Sequence, residues 1–157
     1  MSDEQAKTAT FFVTEAGEDS AILTDVSDAQ VHTLSENPGL AAGDVLEATV
    51  SPDPPMNVTY SVVAVEERRE IPVRVSDETP TPGARELAEG LPTGELATTE
   101  RAGEGEVHVL SVGPEGVADA VADVAGDEQT VSRAARIGVD HVEIRSGEDF
   151  VSVRYLP

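Results

Sequence analysis

Val139-Asp-His-Val-Glu-Ile-Arg-Ser-Gly-Glu-Asp-Phe-Val-Ser-Val-Arg-Tyr-Leu-Pro157 consists of two alternating runs around Ser146-Gly-Glu-Asp149. A period of two puts successive side chains on opposite faces of a strand, and a Gly-containing polar break between β-prone runs reads as a hairpin. Pairing Arg145 with Phe150 sets Ile144 opposite Val151 and Val142 opposite Val153. One face then carries Val142, Ile144, Val151, Val153 and Tyr155. The other carries His141, Glu143, Arg145, Phe150, Ser152 and Arg154. Both strands agree on which face is core, which supports the register.

Working outward from this hairpin, Asp127 reads as the cap of a helix that carries Arg133 and Arg136 in its last turn and stops at Gly138. Before it, Gly113-Pro114 opens another helix, with Val117, Val121 and Val124 on one face and Glu115, Asp119 and Asp123 on the opposite one. Leu96 to Arg101 and Glu106 to Val112 flank Ala102-Gly-Glu-Gly105, a second hairpin signal. Thr81 caps a short helix that has Pro82 at its first position and ends at Gly90. The expected unit is a ββααββ domain over residues 79–157, so the fold class is α+β.

Asp77-Glu-Thr-Pro-Thr-Pro-Gly83 reads as the linker before it. Residues 1–78 form an expected β-rich domain. Thr10–Thr14 and Ala21–Asp25 are strands around Gly17-Glu-Asp19. Ser27 with Gln30 is a capping-box pattern for a short helix with Val31 and Leu34 on its apolar edge, closed by Asn37-Pro-Gly39. Val45–Val50 and Val58–Val65 are further strands. Glu67-Arg-Arg-Glu70 is a charged turn into Ile71–Val75, which Pro72 confines to a sheet edge. Five strands and one short helix in this length predict a small barrel-like sheet.

The chain has 31 acids, 10 bases of which only Lys7 is a lysine, and a net charge of -21. Such a shell repels itself in dilute buffer and is screened in concentrated salt, where the Debye length falls to about 3 Å at 1 M. The reading is a halophilic cytosolic protein. Cysteine is absent, which excludes disulfides, zinc–thiolate sites and a cysteine nucleophile. The polar start and the lack of a long apolar run predict neither a secretory signal nor a membrane span.

Three local resemblances and one general one bear on function. Gly43-Asp-Val-Leu-Glu-Ala-Thr-Val50 resembles the Gly-Asp-turn-strand of small nucleic-acid-binding barrels such as OB-fold and TRAM domains. Leu110-Ser-Val-Gly-Pro-Glu-Gly-Val117 resembles the turn at which knotted SPOUT-type RNA methyltransferases hold S-adenosylmethionine with backbone amides, which would imply an enzyme around Gly113–Gly116. Thr130–Val139 is similar to the first helix and turn of a helix-turn-helix, but Val139–Arg145 alternates like a strand where the recognition helix should stand. The whole chain resembles uncharacterised families restricted to haloarchaea, by composition and by runs such as Ala21-Ile-Leu-Thr-Asp25. That likeness implies no active site.

The three histidines, His32, His108 and His141, lack metal-ligand spacing, and no phosphate loop, nucleophile elbow or calcium loop is present. No cofactor or metal is expected, and no catalytic residue stands out. One region breaks the charge pattern. From Gln129 to Pro157, Arg133, Arg136, Arg145 and Arg154 balance Asp140, Glu143, Glu148 and Asp149. With His141 and Phe150, these arginines form the candidate binding surface for an anion, an RNA backbone or a protein partner, since a planar guanidinium can contact phosphate or carboxylate bidentately. The alternative is that they complete helix and cross-strand ion pairs. The functional expectation is a non-enzymatic binding or adaptor protein. The alternatives are a nucleic-acid-associated protein and the methyltransferase-like enzyme.

Overall fold

The structure, a computed structural model, describes residues 6–101 and 105–157. It is a mixed α+β fold with two sheets and three α-helices, most of it strand. It divides into two compact units, Met1–Ile71 and Pro72–Pro157.

The first unit holds β1 (Lys7–Ala16), β2 (Ala21–Asp25), β3 (Val31–Leu34), β4 (Asp44–Pro52) and β5 (Tyr60–Glu70). The strands close into a ring in the order β1-β2-β3-β5-β4, with β4 pairing back onto β1. Alternation builds its interior: Phe11 and Val13 from β1, Leu23 from β2, Leu34 from β3, and Leu46, Ala48 and Val50 from β4 are all buried in one cluster. Leu40 joins that cluster from the β3–β4 connection. The Asn37 side chain fixes this loop, accepting from the Gly39 and Leu40 amides and donating to the Gly17 and Leu40 carbonyls.

Two first-unit expectations are corrected. The helix expected from Ser27 to Leu34 is a turn followed by β3. Ser27 donates its amide and hydroxyl to the Asp25 carboxylate, at 2.8 and 2.7 Å, and so caps nothing. His32 and Leu34 then alternate inward against β2. The charged turn expected at Glu67–Glu70 is the far half of β5, paired with β4 from Asp44↔Glu70 to Pro52↔Tyr60. Register shifts along this pairing leave Val63 and Glu66 as bulged residues.

The second unit holds β6 (Val73–Val75), α1 (Pro82–Glu89), β7 (Leu96–Glu100), β8 (Glu106–Ser111), α2 (Val117–Gly126), α3 (Glu128–Ile137), β9 (His141–Ser146) and β10 (Phe150–Leu156). Its sheet order is β6-β9-β10-β8-β7. The strand expected to finish the first sheet instead pairs parallel with β9, Val73↔Val142 to Val75↔Ile144, and is the edge strand that Pro72 allows. The residues expected as a linker are anchored here: Pro80 is buried and the Thr79 carbonyl accepts from Arg145 Nη1 at 3.3 Å.

The helix signals act locally as expected. Thr81 Oγ1 accepts from the Ala84 amide at 3.2 Å, and Asp127 Oδ1 from the Gln129 amide at 2.9 Å. Gly138 ends α3 at φ 81°, in the left-handed region that favours glycine. The β7–β8 hairpin forms, though residues 102–104 of its turn lie outside the described residues. In the closing hairpin Ile144 faces Val153 and Val142 faces Tyr155, a two-residue slip from the expected pairing. A slip of two keeps every side chain on its face, so the Val142, Ile144, Val151, Val153, Tyr155 face survives, and all five are buried.

Candidate functional site

Six residues were expected to share one face: Arg133, Arg136, His141, Arg145, Phe150 and Arg154. The structure divides them. β10 is the central strand, paired along both edges, and its alternate residues are buried on both faces from Phe150 to Val153. On one face α1 packs through Ala84 against Val109 and Phe150. Phe150 is therefore core, 5% exposed, where alternation had placed it on the outer face. Arg145, Arg154 and His141 share that face with it. Arg133 and Arg136 ride on α3, which packs on the other face, and Arg136 is exposed in the last turn.

The arginines of the sheet are engaged internally. Glu143 Oε1 accepts from Arg145 Nε and from Arg154 Nη1, each at 2.6 Å, and Arg145 Nη2 reaches Glu78 Oε2 at 2.6 Å. Burial would raise the Glu143 carboxyl, but the two guanidinium hydrogen bonds outweigh it and hold it below its usual range. On the opposite face Arg133 Nη2 donates to both Glu106 oxygens, at 2.6 and 2.9 Å, and His108 Nε2 lies 3.1 Å from Oε1. Burial raises the Glu106 carboxyl as well, and Arg133 and His108 again outweigh it. His108 stacks at a tilt on Tyr155 with ring centroids 4.8 Å apart. These clusters tie elements of the second unit together.

The turn that resembles a methyltransferase cofactor loop is a 3-10 turn, Pro114–Gly116, leading into α2. The strand before it, β8, is antiparallel to both of its neighbours. The crevice beyond the carboxyl ends of parallel strands, where nucleotide-type cofactors sit, does not arise there. A cleft of about 440 Å³ lies beside the hairpin turn, lined by Arg85, Glu89, Glu148, Asp149 and Phe150. None of the buried, unpartnered polar atoms among the described residues belongs to its lining. No group of three or more His, Asp or Glu side chains among the described residues is placed to hold a metal.

The first unit offers a different surface. Its ring is closed between β3 and β5 by a single bridge, Leu34↔Tyr60, beside which the Ser35 amide donates to the Tyr60 carbonyl at 3.0 Å. Past that point β5 is paired only with β4 among the described residues. Val63 is 62% exposed and Val65 42%, with Ala64, Glu66 and Glu67 exposed around them. The β4–β5 loop extends this end with exposed Met56 and Val58. Asp53 holds the loop's base, accepting hydroxyls from Ser61 at 2.5 Å, Ser35 at 2.7 Å and Thr59 at 2.8 Å, which lower its carboxyl pKa. Sequence reasoning passed over this surface. The available signal was Val62-Val-Ala-Val65, four apolar residues in a row in a strand whose alternation needs only two inside.

Beneath the seam, His32 is 2% exposed and wedged between Phe11 and Tyr60, ring centroids 5.3 and 4.8 Å away. Its Nδ1 has no hydrogen-bond partner. Burial first, and then the nearby Lys7 charge, push its pKa down, against the opposing pull of the Gln30 backbone and of Asp25 and Asp28.

No helix among the described residues is long and apolar enough to cross a membrane. No curated protein and no solved structure matches this chain. The sequence pattern of one family covers residues 7–146, most of each unit, and by that match the chain belongs to DUF5812, a family of unknown function.

Proposed function

We propose that this is a non-enzymatic binding protein of a concentrated-salt cytosol, and that it engages another polypeptide through the β3–β5 side of its first unit. The observation that carries the reading is the exposed apolar run on β5, Val63 to Val65, beside a seam held by one bridge. Exposed contiguous apolar surface is disfavoured on a free monomer and characteristic of interaction sites. In this reading Arg133, Arg136, His141, Arg145, Phe150 and Arg154 serve the integrity of the second unit. A photo-cross-linking side chain placed at Val63 should capture a polypeptide in a high-salt lysate, while the same group at the exposed turn residue Asp19 should not. Equal capture at both positions, or none, would defeat the reading.

A nucleic-acid role is the second reading. The order β1-β2-β3-β5-β4, with β3 parallel to β5, favours a barrel of the OB type suggested by Gly43–Val50. Charge opposes it. Residues 1–71 carry 14 acids against Lys7, Arg68 and Arg69, and binding to a phosphate backbone depends on clustered cations. RNA cross-linked at Val63 in place of protein would establish this second reading.

A further inference from the structure

We propose that the free edge of β5, from Val62 to Glu67, takes up a short, extended, basic polypeptide segment as an added strand; this rests on the protein-binding reading above. An edge strand offers a row of unpaired N–H and C=O groups on which another chain can form a ladder. β5 is 11 residues long, and β4 occupies one side of it throughout. On the other side, among the described residues, the ring contributes only Leu34 and Ser35, both at Tyr60. Proteins commonly blunt such edges with charged side chains, proline or bulges. β5 has no lysine or proline and its charges begin only at Glu66; before them, around the bulge at Val63, it shows Val63 and Val65 to solvent.

The chemistry of the occupant follows from what flanks the valines. Glu66, Glu67 and Glu70 are exposed along the same strand. Of the two cations on the strand, Arg68 has its Nε 2.8 Å from the buried Asp44 carboxylate, and Arg69 is engaged as well, so neither is a free charge beside the glutamates. An acidic strand would set like charges opposite one another, which is destabilising, whereas a segment alternating apolar residues with arginine or lysine meets both the valines and the glutamates. The same repulsion disfavours a second copy of this chain, which would bring its own glutamates. The bulges at Val63 and Glu66 add local twist, so the added strand is short.

The test uses the full chain at the lowest KCl concentration at which circular dichroism shows it folded. Three synthetic peptides serve as probes: alternating Val and Arg, the same with Glu for Arg, and the Val–Arg peptide with prolines interspersed. The Val–Arg peptide should slow hydrogen exchange of amides within Val62–Glu67, leave β10 unchanged, and bind about tenfold or more tighter than the Glu peptide, while the proline peptide should not bind. The double variant Val63→Thr/Val65→Thr, which keeps charge and β-branching but removes apolar surface, should lose about tenfold in that affinity with its thermal midpoint unchanged, because both side chains are exposed. Protection elsewhere, equal binding of the Glu peptide, binding of the proline peptide, protection of the same amides by oligouridylate, or self-association through them would each overturn the proposal. A polypeptide cross-linked at Val63 with no protection by the Val–Arg peptide would remove the added strand alone. Failure of both experiments would remove the protein-binding reading with it.

Discussion

His32 shows how much one buried side chain can decide. Its pKa is depressed in the folded chain, so the unfolded chain, near the ordinary value of about 6.5, binds the proton more readily. The stabilisation is complete above that value and is lost as pH falls through it toward the lower folded pKa. The thermal midpoint should therefore drop between about pH 7.5 and pH 5.5, and His32→Phe should flatten that part of the profile, because an aromatic ring without a proton site replaces the imidazole. A profile identical in the variant would assign the pH dependence to other groups. Phe150 carries the opposite lesson about legibility. Its alternation was read correctly, but periodicity reports only which residues share a face and is silent on whether a helix covers that face. Phe150→Ala should cost about 3 kcal/mol in chemical denaturation if the ring is core as described, against a few tenths for an exposed phenylalanine.

Among the elements, those closed by local chemistry were legible and those closed by distant partners were not. Thr81, Asp127 and Gly138 punctuate α1 and α3 because caps and left-handed glycines act within one turn. β3 escaped because Val31 and Leu34 fit a helical edge as well as a strand fits His32 and Leu34, and a histidine does not announce itself as core. β6 was legible as an edge strand, but its sheet was not, because its partner, β9, lies nearly 70 residues away. Asp127→Ala should lower stability by about 1 kcal/mol, measured by urea denaturation, because the Gln129 amide loses its acceptor. No change would mean that α3 is held by packing alone.

For the whole molecule, a net charge of -21 makes salt the main variable. The thermal midpoint should rise substantially between dilute buffer and molar KCl, as screening shortens the reach of the repulsion to about 3 Å. A flat curve would contradict the halophilic reading. The prolines after Asp77 suggest a boundary at residues 78–79, whereas the compact units part at Ile71 and Pro72, and autonomous folding of the two parts is a proposal. Ile71 is buried and the Pro72 carbonyl accepts from the Val142 amide, so the connection offers a protease little purchase, and the test is to express residues 1–71 and 72–157 separately. Each should unfold in a cooperative thermal transition at molar KCl; a fragment without one would refute it.

The sheet order of the second unit also sets a schedule for synthesis. Every strand of the first ring has been made before β6 begins, so that ring can close while translation continues. The second sheet cannot do the same. Its central strand, β10, is the last of its five to be made, some 77 residues after β6 begins. At about 5–20 residues per second that is roughly 4–15 s, during which β6, β7, β8 and β9 have no common strand to join them. In the later part of that interval the nascent second unit exposes first Val107 and Val109 and then Val142 and Ile144, with their principal partner unmade. Its dependence on chaperones should therefore be concentrated in the window before Phe150 emerges.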